Sequence, residues 1–257
     1  MISDVIFIQL TNTTIFLDAH GVLVDSSKMI KNYERTLIQL FSQYLIPSEQ
    51  AIDFHNQGLD LYLKLLNEIK GKKLTGNEFL QAMEIADKKW DSLLQSFVTT
   101  ANASELESRN VEYLAGSLSD TFYRDGKEFL YQIQNQSLKS SNSEFYIVSN
   151  SHSKHLEGLF HGAGFKNINP SRLLGWDKIK ALKNTDYYYT KLQKIAQQSE
   201  IILIGNSKEE MIHGKKANFR TIFVEREVKG PIDYTNLMDL RIKNLKEIAN
   251  DLLDKGK

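Results

Sequence analysis

The chain has 257 residues, 41% of them hydrophobic and 25% charged, enough to bury a sizeable core as one large domain or as a core carrying an inserted module. Its 32 Lys and Arg balance 32 Asp and Glu, so no basic excess marks a nucleic-acid or membrane footprint, and a small molecule is the expected partner. Cysteine is absent, which excludes a disulfide framework, a thiol nucleophile and Cys-ligated zinc.

The chain opens on an apolar piece at 5–8 that is too short for a signal-peptide core and has no basic residue before it. No later run approaches the roughly 20 apolar residues of a membrane span, so a cytoplasmic protein is expected. Residues 5–10 turn through Thr11-Asn12 toward a strand at 13–17 and suggest a hairpin with it, a piece for which a doubly wound sheet has no evident place. From Ser27 onward the text is helical, with apolar residues at helical spacing over 29–45, 49–70, 77–98 and 104–114. Pro47, Gly71 and Thr75-Gly76 punctuate it, with Thr75 or Asn77 as a cap before Phe79. This block reads as an antiparallel helical bundle.

Strand and helix then alternate. A helix is expected at 126–136, a strand at Glu144–Val148, helices at 154–162 and 186–198, a strand at 201–204, a helix at 209–217, a strand at 221–224 and a last helix at 244–253. Short apolar runs without alternation, such as Phe145-Tyr146-Ile147-Val148 and Ile201-Ile202-Leu203-Ile204, suit strands buried on both faces of a parallel sheet. The fold class is therefore α/β: a doubly wound, Rossmann-like parallel sheet core at 1–26 and 115–257, interrupted by a helical bundle at 27–114.

Four stretches carry chemistry. The first is Thr13-Thr14-Ile15-Phe16-Leu17-Asp18-Ala19-His20-Gly21, where a carboxylate ends a strand. Ligands of open parallel sheets bind at the carboxyl ends of strands, and a carboxylate there can attack phosphorus, splitting one hard displacement into two easier ones. Gly21 permits the tight turn that follows. Taken alone, Asp18 is equally well a strand-terminal turn residue. The second stretch, Phe145-Tyr146-Ile147-Val148-Ser149-Asn150-Ser151, ends a strand in a hydroxyl donor, which is also common turn chemistry. The third is Lys183-Asn184-Thr185-Asp186-Tyr187, a lysine before a helix, with Lys178 and Lys180 near enough to compete. The fourth is Ile201-Ile202-Leu203-Ile204-Gly205-Asn206-Ser207-Lys208-Glu209-Glu210.

In this order and spacing the four stretches resemble the motifs of the haloacid dehalogenase superfamily, and the resemblance runs over nearly the whole chain after the first dozen residues. It implies that Asp18 is a nucleophile, that Ser149, with Asn150 beside it, binds a phosphoryl group, and that Lys183 neutralises nucleophile and phosphate. It also exposes two departures. His20 stands where a second aspartate usually acts as acid and base, and Asn206 stands where a magnesium-binding aspartate belongs. The implied magnesium would be held by Asp18, the backbone carbonyl of His20, Asn206 and Glu210. The helical insertion resembles the type I cap of that superfamily, with Tyr33, Arg35 and His55 as candidate substrate contacts and Trp90 as bundle core.

The two departures act together on charge. In the usual site four carboxylates and one lysine sum to about minus three before magnesium, whereas Asp18, Glu210 and Lys183 sum to about minus one. Magnesium affinity is expected to fall, because a hard cation prefers charged oxygen ligands. Three functions follow from the resemblance. The first is a phosphomonoesterase acting on a small phosphorylated metabolite through an aspartyl phosphate at Asp18, with His20 as acid and base. The second is a catalytically degenerate protein that keeps the fold and binds a phosphorylated ligand. The third is a metal-free 2-haloacid dehalogenase-type hydrolase, which the single early arginine, Arg35, serves poorly as a halide cradle.

Overall fold

A computed structural model describes residues 12–69, 72, 74, 76–97, 108–118, 120–137, 143–196, 200–226 and 235–248. In chain order the elements are β1 (Thr13–Asp18), α1 (Ser26–Ser42), α2 (Ser48–Ile69), α3 (Gly76–Phe97), α4 (Ser108–Ser117), α5 (Arg124–Ser137), β2 (Glu144–Val148), α6 (Ser153–Gly162), β3 (Leu173–Leu174), α7 (Trp176–Ile179), α8 (Asp186–Ile195), β4 (Glu200–Gly205), α9 (Lys208–Lys216), β5 (Arg220–Val224) and β6 (Leu240–Ile242). The expected hairpin at 5–10, the Thr75 cap and residues 249–253 of the last helix lie outside the described residues. Among the described residues no helix is long and apolar enough to cross a membrane.

Two compact units divide the chain. The first holds 1–25, 122–149 and 183–257, the second 26–121 and 150–182. In the first unit the strands run in the order β2, β1, β4, β5, β6, and each is parallel to its neighbours. The chain leaves β1 for β2 on one side and later takes up β4 on the other, the reversal that defines a doubly wound sheet. All six residues of β1 are buried, as expected of the central strand, and its β-branched and aromatic side chains suit that place. Register decides where the chemistry falls. Asp18 pairs with Val148 and Leu17 with Ile204, so the residues after Val148 and Ile204 emerge at the same sheet edge as Asp18.

The second unit is built from α1 to α4, α6, α7 and the two-residue β3. Leu37, Phe41, Phe54, Leu94 and Val111 form one buried cluster, with Trp90 partly buried against it and edge-on to Phe54 at 5.6 Å between ring centroids. Ile69, Phe79, Met83, Trp176 and Leu182 form a second. The division differs from the expected boundaries because 150–182 joins the helices. The reason is a close crossing of α4 and α6: a Cβ on Gly158 would stand 2.2 Å from the Tyr113 carbonyl oxygen, and one on Gly162 2.7 Å from that of Ser117. The two backbones meet with no side chain between them.

Local differences have local causes. The first helix stops at Ser42 instead of 45, since Leu45 takes a left-handed φ of 59° and is 90% exposed. Gly76 already opens α3, so Asn77 lies in its first turn. The short β6 has no signal of its own beyond one buried Ile242, and it forms by pairing with β5.

Candidate active site

Asp18 ends β1 with 5% exposure, one of the few buried acids among the described residues. The Lys183 ammonium donates to Asp18 Oδ1, a close ion pair, and to Glu210 Oε1 at 2.9 Å. Glu210 is itself fixed. Its Oε2 accepts from the backbone N–H of Asn206 at 3.0 Å and of Ser207 at 3.1 Å, while its own N–H donates to Ser207 Oγ at 3.2 Å, a reciprocal cap on the first turn of α9. The sequence from Gly205 to Glu210 thus serves helix initiation and charge placement at once.

Burial sets the electrostatics of this triad. Burial first, and the Glu210 carboxylate second, push the Asp18 carboxyl up to about 7, with Lys183 pulling the other way. Burial alone would lower the Lys183 ammonium, but Asp18 and Glu210 outweigh it and hold it above the usual lysine value. Lys178 and Lys180 are exposed, and Lys178 donates to the Pro170 carbonyl, so the buried ion pairs belong to Lys183.

The loop after Asp18 is wound tightly. Ala19 N–H donates to the Val148 carbonyl, the N–H groups of Leu23 and Val24 to the Ala19 carbonyl, and the Gly21 N–H to the Val24 carbonyl at 2.7 Å. Gly21 has φ 77°, and a Cβ there would stand 1.9 Å from Asn206 Nδ2. The side-chain amide of Asn206 therefore lies against the residue next to His20, so the loop after β1 and the loop after β4 meet at Gly21. Ser149 is fully buried at the end of β2, one residue past the partner of Asp18. Asn150 begins a segment of the second unit, where its carbonyl accepts from the Tyr62 hydroxyl at 3.5 Å. Of the candidates in the helices, Tyr33 and His55 have ring centroids 5.5 Å apart in the second unit, and Arg35 is exposed.

The expected magnesium finds a poor donor set. Both Glu210 oxygens are committed, to Lys183 and to two backbone amides, and Asp18 is paired with the same lysine. Among the described residues no three His, Asp or Glu side chains gather as a metal site. Oε1 of Glu210 takes no part in the α9 cap, so an ion reaching it would compete with Lys183 for that oxygen and leave the cap in place. Two carboxylates that already share one lysine make a weak magnesium set.

Sequence reasoning passed over Arg226, just beyond β5. Its guanidinium makes a two-pronged pair with Asp125 at 3.0 Å for each bond, donates twice to the Val22 carbonyl at 2.9 and 2.6 Å, and lies 3.9 Å over the Tyr123 ring. Asp125 also accepts from the Leu245 N–H at 2.8 Å. One planar fork thereby ties the loop after Asp18 to α5 and to the chain after β6. Lysine keeps the charge but not the fork, so Arg226→Lys is expected to lower the unfolding free energy by about 2 kcal/mol, read from urea denaturation. The only hint in the sequence is a basic residue placed two positions after the end of a strand. Also unforeseen are Tyr188 and Tyr189, whose hydroxyls are buried without a hydrogen-bond partner among the described residues and whose ionisation is pushed up by burial.

No family model matches the sequence, and no curated protein matches it. Solved structures do. A protein of Bacillus subtilis described as a HAD-hydrolase, bound to magnesium, is 17% identical with a TM-score of 0.57, over 94% of this chain and 98% of its own. An L-2-haloacid dehalogenase is 15% identical with a TM-score of 0.56, over 93% and 98%. A HAD phosphatase of Thermococcus onnurineus is 14% identical with a TM-score of 0.51, over 93% and 96%. The chain has the fold of the haloacid dehalogenase superfamily.

Proposed function

We propose that the protein is a hydrolase of small phosphate monoesters that works through Asp18. The observation that carries this reading is the buried Asp18 carboxylate at the end of the central strand, held by a lysine whose other partner is itself anchored. The Asp18 oxygen attacks phosphorus, the ester P–O bond breaks, and the leaving alkoxide takes a proton from the His20 imidazolium. Neutral His20 then removes a proton from water as the water oxygen attacks the phosphorus of the aspartyl phosphate. The Asp18 carboxylate and inorganic phosphate result. Lys183 offsets charge on Asp18 and on the transferring group throughout, while Ser149 donates to a phosphoryl oxygen.

No step is assigned to a divalent ion. Turnover of an aryl phosphate by the purified protein is expected to be unchanged by a chelator. Asn206→Asp adds a carboxylate beside the loop and is expected to introduce a magnesium requirement, seen as a rate that now falls when the chelator is added; His20→Asp tests the other departure in the same assay. A broad phosphate panel without turnover, with or without divalent ions, would end the proposal.

The committed state of Glu210 also favours a second reading, in which the protein keeps the fold and binds a phosphorylated ligand without turning it over. A rise in melting temperature with such ligands, in the absence of hydrolysis, would support it. Chloride release from a short 2-chloro acid would instead point to attack of Asp18 on carbon, the reaction named for several structural neighbours.

A further inference from the structure

The second unit holds a cavity of about 420 Å³, and none of Asp18, His20, Ser149, Lys183, Asn206 or Glu210 lines it. Pockets for small molecules span roughly 300–1,000 Å³ and set a few polar groups in apolar walls. Helical spacing builds most of these walls. His55, Leu59, Tyr62 and Ile69 fall on one stripe of α2, Met83, Asp87 and Trp90 on one stripe of α3, and α4 adds Glu112.

Charge in the cavity is sorted by depth. The lining residues Lys64, Lys72 and Lys89, with Glu68 and Glu78, are exposed, which puts them at the mouth, whereas Asp87 and Glu112 are half-buried. Asp87 stands on its stripe between buried Met83 and half-buried Trp90, a carboxylate set into an apolar wall. Glu112 is placed from two sides. Its backbone carbonyl accepts from the buried His155 ring, and its charge adds to burial in pushing the Tyr62 hydroxyl up to about 12. The imidazoles at the wall do not offset these charges. Burial lowers His55, with Glu34 pulling the other way, and brings His155 down to about 4. His152 Nδ1 accepts from the Lys154 N–H at 3.0 Å, which only an unprotonated nitrogen can do. All three are neutral near pH 7.

Ring faces draw the same sign of guest as the carboxylates do. Trp90, Trp176, Tyr33 and Tyr62 line the cavity, and the faces of such rings attract ammonium groups. We propose that this cavity binds a small organic cation, an amine or quaternary ammonium with an apolar body, whose charge is met by the Asp87 and Glu112 carboxylates and whose body is covered by the aromatic walls. The site stands apart from the reaction assigned to Asp18, and its test needs no turnover. An uncharged molecule of the same shape gains the apolar contact without the charge attraction, and an anion meets two carboxylates in a partly desolvated wall, which is costly.

Three probes of one shape separate these cases: benzyltrimethylammonium, its uncharged carbon isostere neopentylbenzene, and benzylsulfonate. Full-length protein is titrated with each in a calorimeter. Saturable binding of one benzyltrimethylammonium per chain is expected, with the isostere about tenfold weaker or more and the sulfonate weaker still. Tryptophan emission should change with it, since both tryptophans of the chain, Trp90 and Trp176, line the cavity. The double variant Asp87→Asn with Glu112→Gln keeps the shape of the wall and removes both charges. It should weaken the cation about tenfold or more and leave the isostere within about twofold. Ala86→Phe, on the α3 wall, should fill the space and weaken both about tenfold or more. Circular dichroism identifies which variants fold, and the three probes on the wild type decide the matter if the variants do not. Absence of saturable cation binding to the wild type, binding of the isostere or the sulfonate as tight as that of the cation, or undiminished cation binding by a folded variant of either kind would each overturn the proposal.

Discussion

Asp18→Asn is expected to lower turnover by about 10⁴-fold or more while raising the melting temperature at pH 8. The loss of rate follows from the chemistry, since an amide oxygen forms no stable acyl phosphate and the remaining groups act only as a unit with the nucleophile. The gain in stability follows from linkage. An unfolded aspartate titrates near 3.9, whereas burial and Glu210 raise Asp18 to about 7 in the folded chain. The folded state therefore binds this proton more tightly, and the associated stability is present below about pH 4 and lost as pH rises through 7. Asparagine does not titrate. The difference in melting temperature between variant and wild type should grow from pH 5 to pH 8, measured calorimetrically beside the activity assay. A variant that retains activity would remove Asp18 from the reaction, and a difference that shrinks with rising pH would contradict the electrostatics.

Lys183→Met has the largest expected cost in stability. It leaves Asp18 and Glu210 as neighbouring buried carboxylates with their common cation gone, and breaking a buried pair from one side typically costs about 3–5 kcal/mol. The pH dependence again has a definite sign. Without the ammonium, which pulls the Asp18 carboxyl down, that carboxyl is raised further in the folded state, so acid restores stability by protonating it, and the deficit against wild type should narrow from pH 8 to pH 5. The double variant Lys183→Met with Asp18→Asn removes one of the two repelling charges and should recover a large part of the loss. Urea denaturation of all four proteins of that cycle measures the coupling. Additive losses would mean that Lys183 and Asp18 do not interact.

The sheet was legible because its strands announce themselves. Phe145 to Val148 and Ile201 to Ile204 are apolar without alternation, the mark of strands covered on both faces, and β1 shares the pattern. The short β6 was not legible, since its signal is the pairing partner and not its own residues. Of the site, the order of motifs pointed to Asp18, Lys183 and Glu210, which meet across 165 and 27 residues of sequence separation. The choice among three nearby lysines needed burial, which no local spacing encodes. The Glu210 carboxylate reads equally as metal ligand or as helix cap, and only its two amide partners distinguish these roles. Arg226 escaped because a clamp on a backbone carbonyl 204 residues away leaves no pattern in sequence. The seam between α4 and α6 escaped for the opposite reason: its glycines are visible, but what they approach is not.

The cap on α9 has a bearing on how this site tolerates change. One carboxylate finishes a helix and also balances a buried cation, so the two duties cannot drift independently. Shortening Glu210 by one methylene would keep its charge yet withdraw it from the lysine or from the amides, and removing it would fray α9 as it unbalances the triad. Adaptation at this position is thus confined to a narrow corridor, while the neighbouring Asn206 serves the cap through its backbone N–H, a bond that does not depend on which side chain it carries.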